Sequence, residues 1–226
     1  MKILLIINKE KKHIRKIIEL FKKNFANLKI IDHNEFHNNL RNDYDYVICY
    51  LSKKILKSKF LNQTRKLNIN IHPGSSNYPG IGCFNFALYS NEETYGAVAH
   101  IINEKIDNGK IIKEVKFTIN KNYNVAQLAN ITYKNMIFLT KDIVKMIKKD
   151  NIIFSKIKWK RKAYTRNDLN KLAEIKINYS KKRIYKIIKC LYMPSKPAPY
   201  IYLKGVKFEY SGSWYECSFN SKYKQL

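Results

Sequence analysis

Long apolar runs are missing from this 226-residue chain: the longest early one, residues 3–7, is bracketed by Lys2 and Asn8 and is too short to cross a membrane. No small-residue cleavage site follows it, so no secretory leader is expected, and the expected compartment is the cytosol with no membrane contact. Cysteine is sparse and scattered. Cys49, Cys83, Cys190 and Cys217 form no C-x-x-C pair, which excludes a dense disulfide framework and a thiolate zinc centre and leaves free thiols in a reducing compartment. Glycine occurs only seven times, five of them between Gly74 and Gly109, and none in Asn8-Lys9-Glu10 after the first apolar run. A dinucleotide fingerprint or P-loop is thereby excluded. H-E-x-x-H, a nucleophile elbow and the protein-kinase motifs are absent too, as is any repeat with a period of about 20–50 residues.

Acidic residues are the scarcest class relative to their opposites: 17 against 44 Lys and Arg, for a net charge of +27. A basic surface suits nucleic acid, because each neutralised phosphate releases counterions. Here the cations are mostly Lys, spread from Lys2 to Lys224 rather than gathered in an Arg-rich stripe. The excess accompanies a general bias toward Asn, Ile and Tyr. An anionic small molecule, such as a nucleoside diphosphate, is therefore the expected partner ahead of nucleic acid.

What is present is enough for a core: 45% hydrophobic and 13% aromatic residues. Residues 2–8 are a continuous apolar run ending in Asn8, the pattern of a buried parallel strand. Helical spacing follows over 9–25, then short strands at 28–31, 46–51 and 69–72, with a polar helix near 57–66. A turn-rich loop, 73–82, leads into a short helix at 83–90. Strands at 95–102 and 110–118 flank a turn at Asp107-Asn108-Gly109, and 124–149 is the longest helical pattern. The tail holds a helix started by Thr165 with Asp168 three residues on, a second helix at 181–191, and strands at 200–203 and 206–210. The expected fold class is α/β: a doubly wound, mostly parallel sheet over residues 1–150, with a small α+β appendage over 151–226. Ligands of such sheets bind at the carboxyl ends of the strands.

Asn70-Ile71-His72-Pro73 stands at one of those ends. Residues two apart on a strand face the same side, so Asn70 and His72 project together while Ile71 packs inward. An amide can hold a carbonyl oxygen as negative charge develops on it, and an imidazole can manage the proton of an attacking amine. Taken singly, His72 reads first as a satisfied polar residue and Asp107 as a turn residue.

The motifs Asn70-Ile71-His72-Pro73-Gly74, Tyr78-Pro79-Gly80-Ile81-Gly82, Gly96-Ala97-Val98-Ala99-His100 and Ile106-Asp107-Asn108-Gly109-Lys110-Ile111-Ile112, in that order, change the balance. Together they resemble the folate-dependent formyltransferase family, over about residues 46–117. The resemblance implies a formyltransferase-like Rossmann variant. It implies that Asn70, His72 and Asp107 are catalytic: Asn70 holding the formyl oxygen, His72 stabilising the tetrahedral intermediate or taking the amine's proton, Asp107 orienting His72. His100 is implied as support beneath the site. Leu51, Ser52, Ile55 and Leu56 fall where the family grips the pterin, with Lys105 and Ile106 as the opposite wall. Gly74, Tyr78, Pro79, Gly80, Trp159 and Tyr164 are the expected substrate contacts.

Members that act on tRNA carry Ser-Leu-Leu-Pro and then Arg-Gly where this chain has Gly74-Ser75-Ser76-Asn77-Tyr78-Pro79-Gly80. The stretch Trp159-Lys160-Arg161-Lys162-Ala163-Tyr164-Thr165-Arg166 is similar instead to the sugar formyltransferases. The implied reaction is therefore N-formylation of a nucleotide-linked amino sugar from 10-formyltetrahydrofolate, with no metal, in surface polysaccharide synthesis such as that of lipopolysaccharide. A homodimer through the C-terminal region is expected. The rival readings are a methionyl-tRNA formyltransferase and a non-catalytic nucleic-acid-binding protein.

Overall fold

The computed structural model describes residues 1–10, 13–41, 43–194 and 196–212; Cys217 lies outside them. Strand β1 (Lys2–Ile7) is buried from Ile3 onward. Its side chains alternate between two cores: Ile3, Leu5 and Ile7 pack toward helices α1 (Ile14–Asn24) and α4 (Val125–Lys148), and Leu4 and Ile6 toward Phe36 and Phe60 on the opposite face. A strand covered on both faces needs apolar residues at every position, which is why this one reads as an unbroken run.

Around β1 the sheet is completed by β2 (Asn27–Asp32), β3 (Tyr46–Tyr50), β4 (Leu67–His72), β5 (Thr94–Ile101) and β6 (Ile111–Thr118) in the order β2-β1-β3-β4-β5-β6. Pairs as far as β3–β4 are parallel, and β4–β5 and β5–β6 are antiparallel. Asn70 is opposite His100 in the β4–β5 ladder, and a register shift at Ala99/His100 marks β5 beside that pair. Bulges of this kind re-aim side chains next to functional sites.

Two expected helices are shorter than their sequence pattern. Instead of spanning 9–25, α1 begins at Ile14, because side chains take the preceding backbone donors: Lys9 N–H bonds Asp32 Oδ2 and Glu10 N–H bonds Asn8 Oδ1. The helix expected near 57–66 is the single turn α2 (Ser58–Leu61). Beyond it the Arg65 and Lys66 N–H groups bond the carbonyls of Tyr44 and Asp45, feeding the chain directly into β4. Helix α4 matches its pattern, closed at Asn124 by a reciprocal cap with Gln127.

Helices α3 (Cys83–Tyr89), α5 (Arg166–Ala173) and α6 (Lys181–Leu191) carry the remaining layers. Thr165 and Asp168 cap α5 reciprocally, as the sequence signal requires. A three-stranded sheet, β7 (Glu174–Ile175), β8 (Tyr200–Leu203) and β9 (Val206–Glu209), ends the described tail, its hairpin turning through Lys204 and Gly205. A third core containing Tyr78, Phe86, Tyr95, Leu128 and Cys190, with Tyr164 and Leu169 against it, joins this region to the main sheet.

Candidate active site

The last residues of β4 send Asn70 and His72 to one face, and the β4–β5 register brings His100 beside Asn70. The connection between β5 and β6 folds back so that Asp107 meets all three. His72 Nδ1 lies 3.2 Å from Asp107 Oδ2, and His100 Nε2 lies 3.1 Å from Asp107 Oδ1. The Asn70 amide donates to Asp107 Oδ1 over 3.3 Å and lies 3.2 Å from His100 Nε2. Gly80 N–H donates to Asp107 Oδ2 over 2.8 Å. Each carboxylate oxygen is thus engaged by an imidazole and by a neutral N–H.

Burial governs the electrostatics. It lowers the pKa of His72, because a charged imidazole is poorly solvated there; Asp107 acts in the opposite direction without overcoming it. Burial pushes the Asp107 carboxyl up, but His72, His100 and the Gly80 N–H together outweigh it and hold the group well below the usual carboxylate range. Near neutral pH the arrangement is an ionised Asp107 beside a neutral His72. That tautomer donates from Nδ1–H to Asp107 and keeps a lone pair on Nε2. The Tyr78 carbonyl sits 3.0 Å from Nε2, so a protonated ring finds an acceptor on each nitrogen.

A cavity of about 450 Å³ opens against this cluster. All six expected donor-pocket residues, Leu51, Ser52, Ile55, Leu56, Lys105 and Ile106, line it together with Asn70, His72, His100 and Asp107. Its lip is apolar and exposed at Ile55, Ile81 and Ile106, three isoleucines grouped around one opening. Leu51 turns the chain out of β3 with φ at +53°, a left-handed conformation that a bulky residue holds only when its surroundings require it. The loop beyond is pinned from outside the pocket. Lys53 N–H bonds His33 Nδ1 over 3.1 Å, and Asn38 bonds the Ile55 carbonyl and the Lys57 N–H at 3.1 and 2.7 Å. Cations stand around the mouth at Lys53, Lys54, Lys105 and Arg166.

Of the expected substrate contacts, only Gly80 lines this cavity. Gly74 is buried beneath the His72 ring, and Pro79 is buried with its carbonyl accepting from Tyr164 N–H. The Tyr78 hydroxyl donates to Glu92 over 2.6 Å, and its ring stacks on Tyr164. The Tyr164 ring lies 3.6 Å from that of Phe86 and is capped by the Arg161 guanidinium. These aromatic rings serve the third core rather than the cavity wall. Trp159 packs edgewise against both His72 and His100 and borders a second cavity of about 610 Å³ with Lys110, Phe154, Lys156 and Lys158. Sequence reasoning missed His33, Asn38 and Arg166. Only Arg166 carried a signal, as the last residue of the Tyr164-Thr165-Arg166 run. Among the described residues no group of three or more His, Cys, Asp or Glu is arranged to hold a metal ion.

Residues 6–139 match the family model described as formyl transferase. Over 76 residues the chain is 29% identical to phosphoribosylglycinamide formyltransferase of Haemophilus influenzae, an alignment spanning 33% of this chain and 36% of that enzyme. The chain thus spans about a third of the length of that curated relative. Its fold is similar to a sugar N-formyltransferase from a Shewanella species, with a TM-score of 0.79, 18% identity, and 93% of this chain and 96% of that one covered. It is also similar to an N-formyltransferase from Helicobacter canadensis in complex with folinic acid and dTDP-3-aminofucose, with a TM-score of 0.67, 18% identity, and 84% and 80% covered.

Proposed function

The chain belongs to the formyl transferase family, and from that premise we propose that it N-formylates an amino sugar carried on a nucleoside diphosphate, using 10-formyltetrahydrofolate as donor. The observation that carries this reading is the Asn70–His72–Asp107 cluster, with His72 buried, facing a cavity with an apolar lip. The flat faces of a pterin ring suit the apolar wall made by Leu51, Ile55, Leu56 and Ile106. The anionic tail of a folate suits the lysines at the mouth. The nucleotide sugar is supported by the fold shared with the Helicobacter enzyme and its dTDP-3-aminofucose, and by the basic second cavity beside Trp159.

The acceptor amine attacks the formyl carbon, and the Asn70 amide holds the oxygen on which charge develops. His72, neutral and held by Asp107, takes the proton that the nitrogen loses as the new C–N bond forms. The imidazolium then donates toward Asp107 and the Tyr78 carbonyl until collapse of the intermediate breaks the bond to folate N10, which takes that proton from His72 and leaves the ring neutral. The products are the N-formyl sugar and tetrahydrofolate. Holding amine and donor together in one site removes much of the entropic barrier.

Residues 1–150 carry the transfer, and 151–226 serve acceptor and subunit contacts. The exposed Tyr202, Leu203, Val206 and Phe208 of the β8–β9 hairpin support a homodimer formed through this region. Among the described residues no helix is long and apolar enough to cross a membrane, and the proposed setting is cytosolic synthesis of a surface polysaccharide, lipopolysaccharide included. The test is transfer from 10-formyltetrahydrofolate to dTDP-, GDP- and UDP-linked amino sugars with a metal chelator present. Formylation of one of them supports the reading. Turnover with formate and ATP but none with the folate overturns it.

A further inference from the structure

Asp107 holds an unusual backbone conformation, with φ at +42°. Left-handed backbone is uncommon outside glycine, although Asp and Asn tolerate it in turns, and here neighbours fix both the side chain and the backbone. The carboxylate is fixed by the Gly80 N–H, and Gly80 is itself held in a backbone bridge to Tyr164. The backbone of the turn is fixed two residues further on, where the Trp159 indole Nε1–H donates to the Gly109 carbonyl over 2.8 Å. The same indole stands edgewise to both histidines, 6.0 Å from the His72 ring at 74° and 5.1 Å from the His100 ring at 84°.

We propose that Trp159 is a positioning residue: its N–H pins the 107–109 turn, and its ring shields the two imidazoles that share Asp107. The sequence resemblance would assign this indole to the acceptor. Its N–H is instead spent on the backbone of the catalytic turn, and its ring lies against the histidines. Loss of the bond frees the backbone of the turn and lets the carboxylate move away from His72. The effect reaches the transition state through the placement of His72, so it falls on turnover rather than on the binding of either substrate.

The proposal rests on the N-formyltransferase reading, and the experiment separates the two. Wild type, Trp159→Phe, and a variant with 3-benzothienylalanine at 159 are compared for kcat, for KM toward donor and acceptor, for folinic acid affinity and for thermal melting. The second replacement exchanges only the indole N–H for sulfur, so packing and folding are preserved even if phenylalanine disturbs them. The expected result is kcat lowered about tenfold to a hundredfold in Trp159→Phe, and at least about fivefold in the sulfur analogue. Both KM values and folinic acid affinity stay within about twofold. A raised acceptor KM with unchanged kcat overturns the proposal in favour of a substrate contact, and unchanged kinetics in the sulfur analogue overturns it outright. A wild type that transfers no formyl group from the folate overturns the functional reading itself.

Discussion

His72 Nδ1 and Asp107 Oδ2 lie 3.2 Å apart, with both side chains shut away from solvent. An ionised carboxylate in that position selects the tautomer protonated at Nδ1, which leaves the proton-accepting lone pair on Nε2 beside the Tyr78 carbonyl, and it stabilises the imidazolium once the proton arrives.

Asp107→Asn tests that relationship. The amide keeps the shape and tolerates the left-handed turn, so the fold and folinic acid affinity should survive. Turnover should fall about a hundredfold or more, because an amide neither selects the tautomer nor stabilises the charged ring. Steady-state kinetics beside a thermal melt decides the matter. Retained turnover would show Asp107 to be a turn residue only.

The pH profile follows from the direction of the His72 shift. A general base works in its neutral form, and burial, the largest influence, lowers this pKa from 6.5 despite the opposing pull of Asp107. The acid limb of kcat/KM should therefore lie below about pH 6.5, with a plateau at neutral pH. Removing the Asp107 charge takes away what raises the pKa, so the limb of any residual activity in Asp107→Asn should move further to acid. A limb at or above pH 7 in the wild type would count against His72 as the base.

Gly80→Ala should damage stability and turnover together. Gly80 has φ at +87°, and a Cβ there would meet the Tyr164 carbonyl oxygen at 2.3 Å and its nitrogen at 2.6 Å. Relief requires the loop to part from 160–164, which removes the N–H held by Asp107. The expected loss is about 2 kcal/mol or more, with a clear drop in kcat. Thermal melting and kinetics that match the wild type would mean that the bridge contributes nothing to the site.

Charge at the cavity mouth should govern donor binding. The Lys53→Glu, Lys105→Glu double variant should raise the donor KM several-fold at low ionic strength. Added salt should raise the wild-type KM and narrow the gap, as screening of exposed charges requires. A donor KM indifferent to both changes would place the folate tail elsewhere.

The sheet was largely legible because doubly covered strands must be apolar on both faces, and β1 and β3 announce themselves as runs. Asn70 and His72 were legible through the two-residue period of a strand. Their meeting with Asp107 depends on antiparallel pairing across a long connection, which no local pattern encodes; only the ordered motifs pointed to it. The overextended helix near 57–66 shows the converse. Its polar residues suit a helix, yet Arg65 and Lys66 gain more by bonding the carbonyls at the entry to β3. Least legible were side chains on loops. Tyr78, Trp159 and Tyr164 have no period to give their direction, and His33 and Asn38 hold the 53–57 loop of the cavity wall from a segment remote in sequence.

The bridge between Gly80 and Tyr164 has a consequence for how such enzymes diversify. Three backbone hydrogen bonds, from Lys160 to Ser76, Tyr164 to Pro79 and Ile81 to Tyr164, stitch the tail to the loop that carries Gly80. A tail attached in this way is not an interchangeable cassette. Grafting one from a relative with a different acceptor onto residues 1–150 would replace the stitching along with the proposed recognition surface. Under the proposed division of labour, a change of acceptor that alters 160–164 also reaches the Gly80 N–H held by Asp107, so acceptor choice and catalytic competence would have to change together.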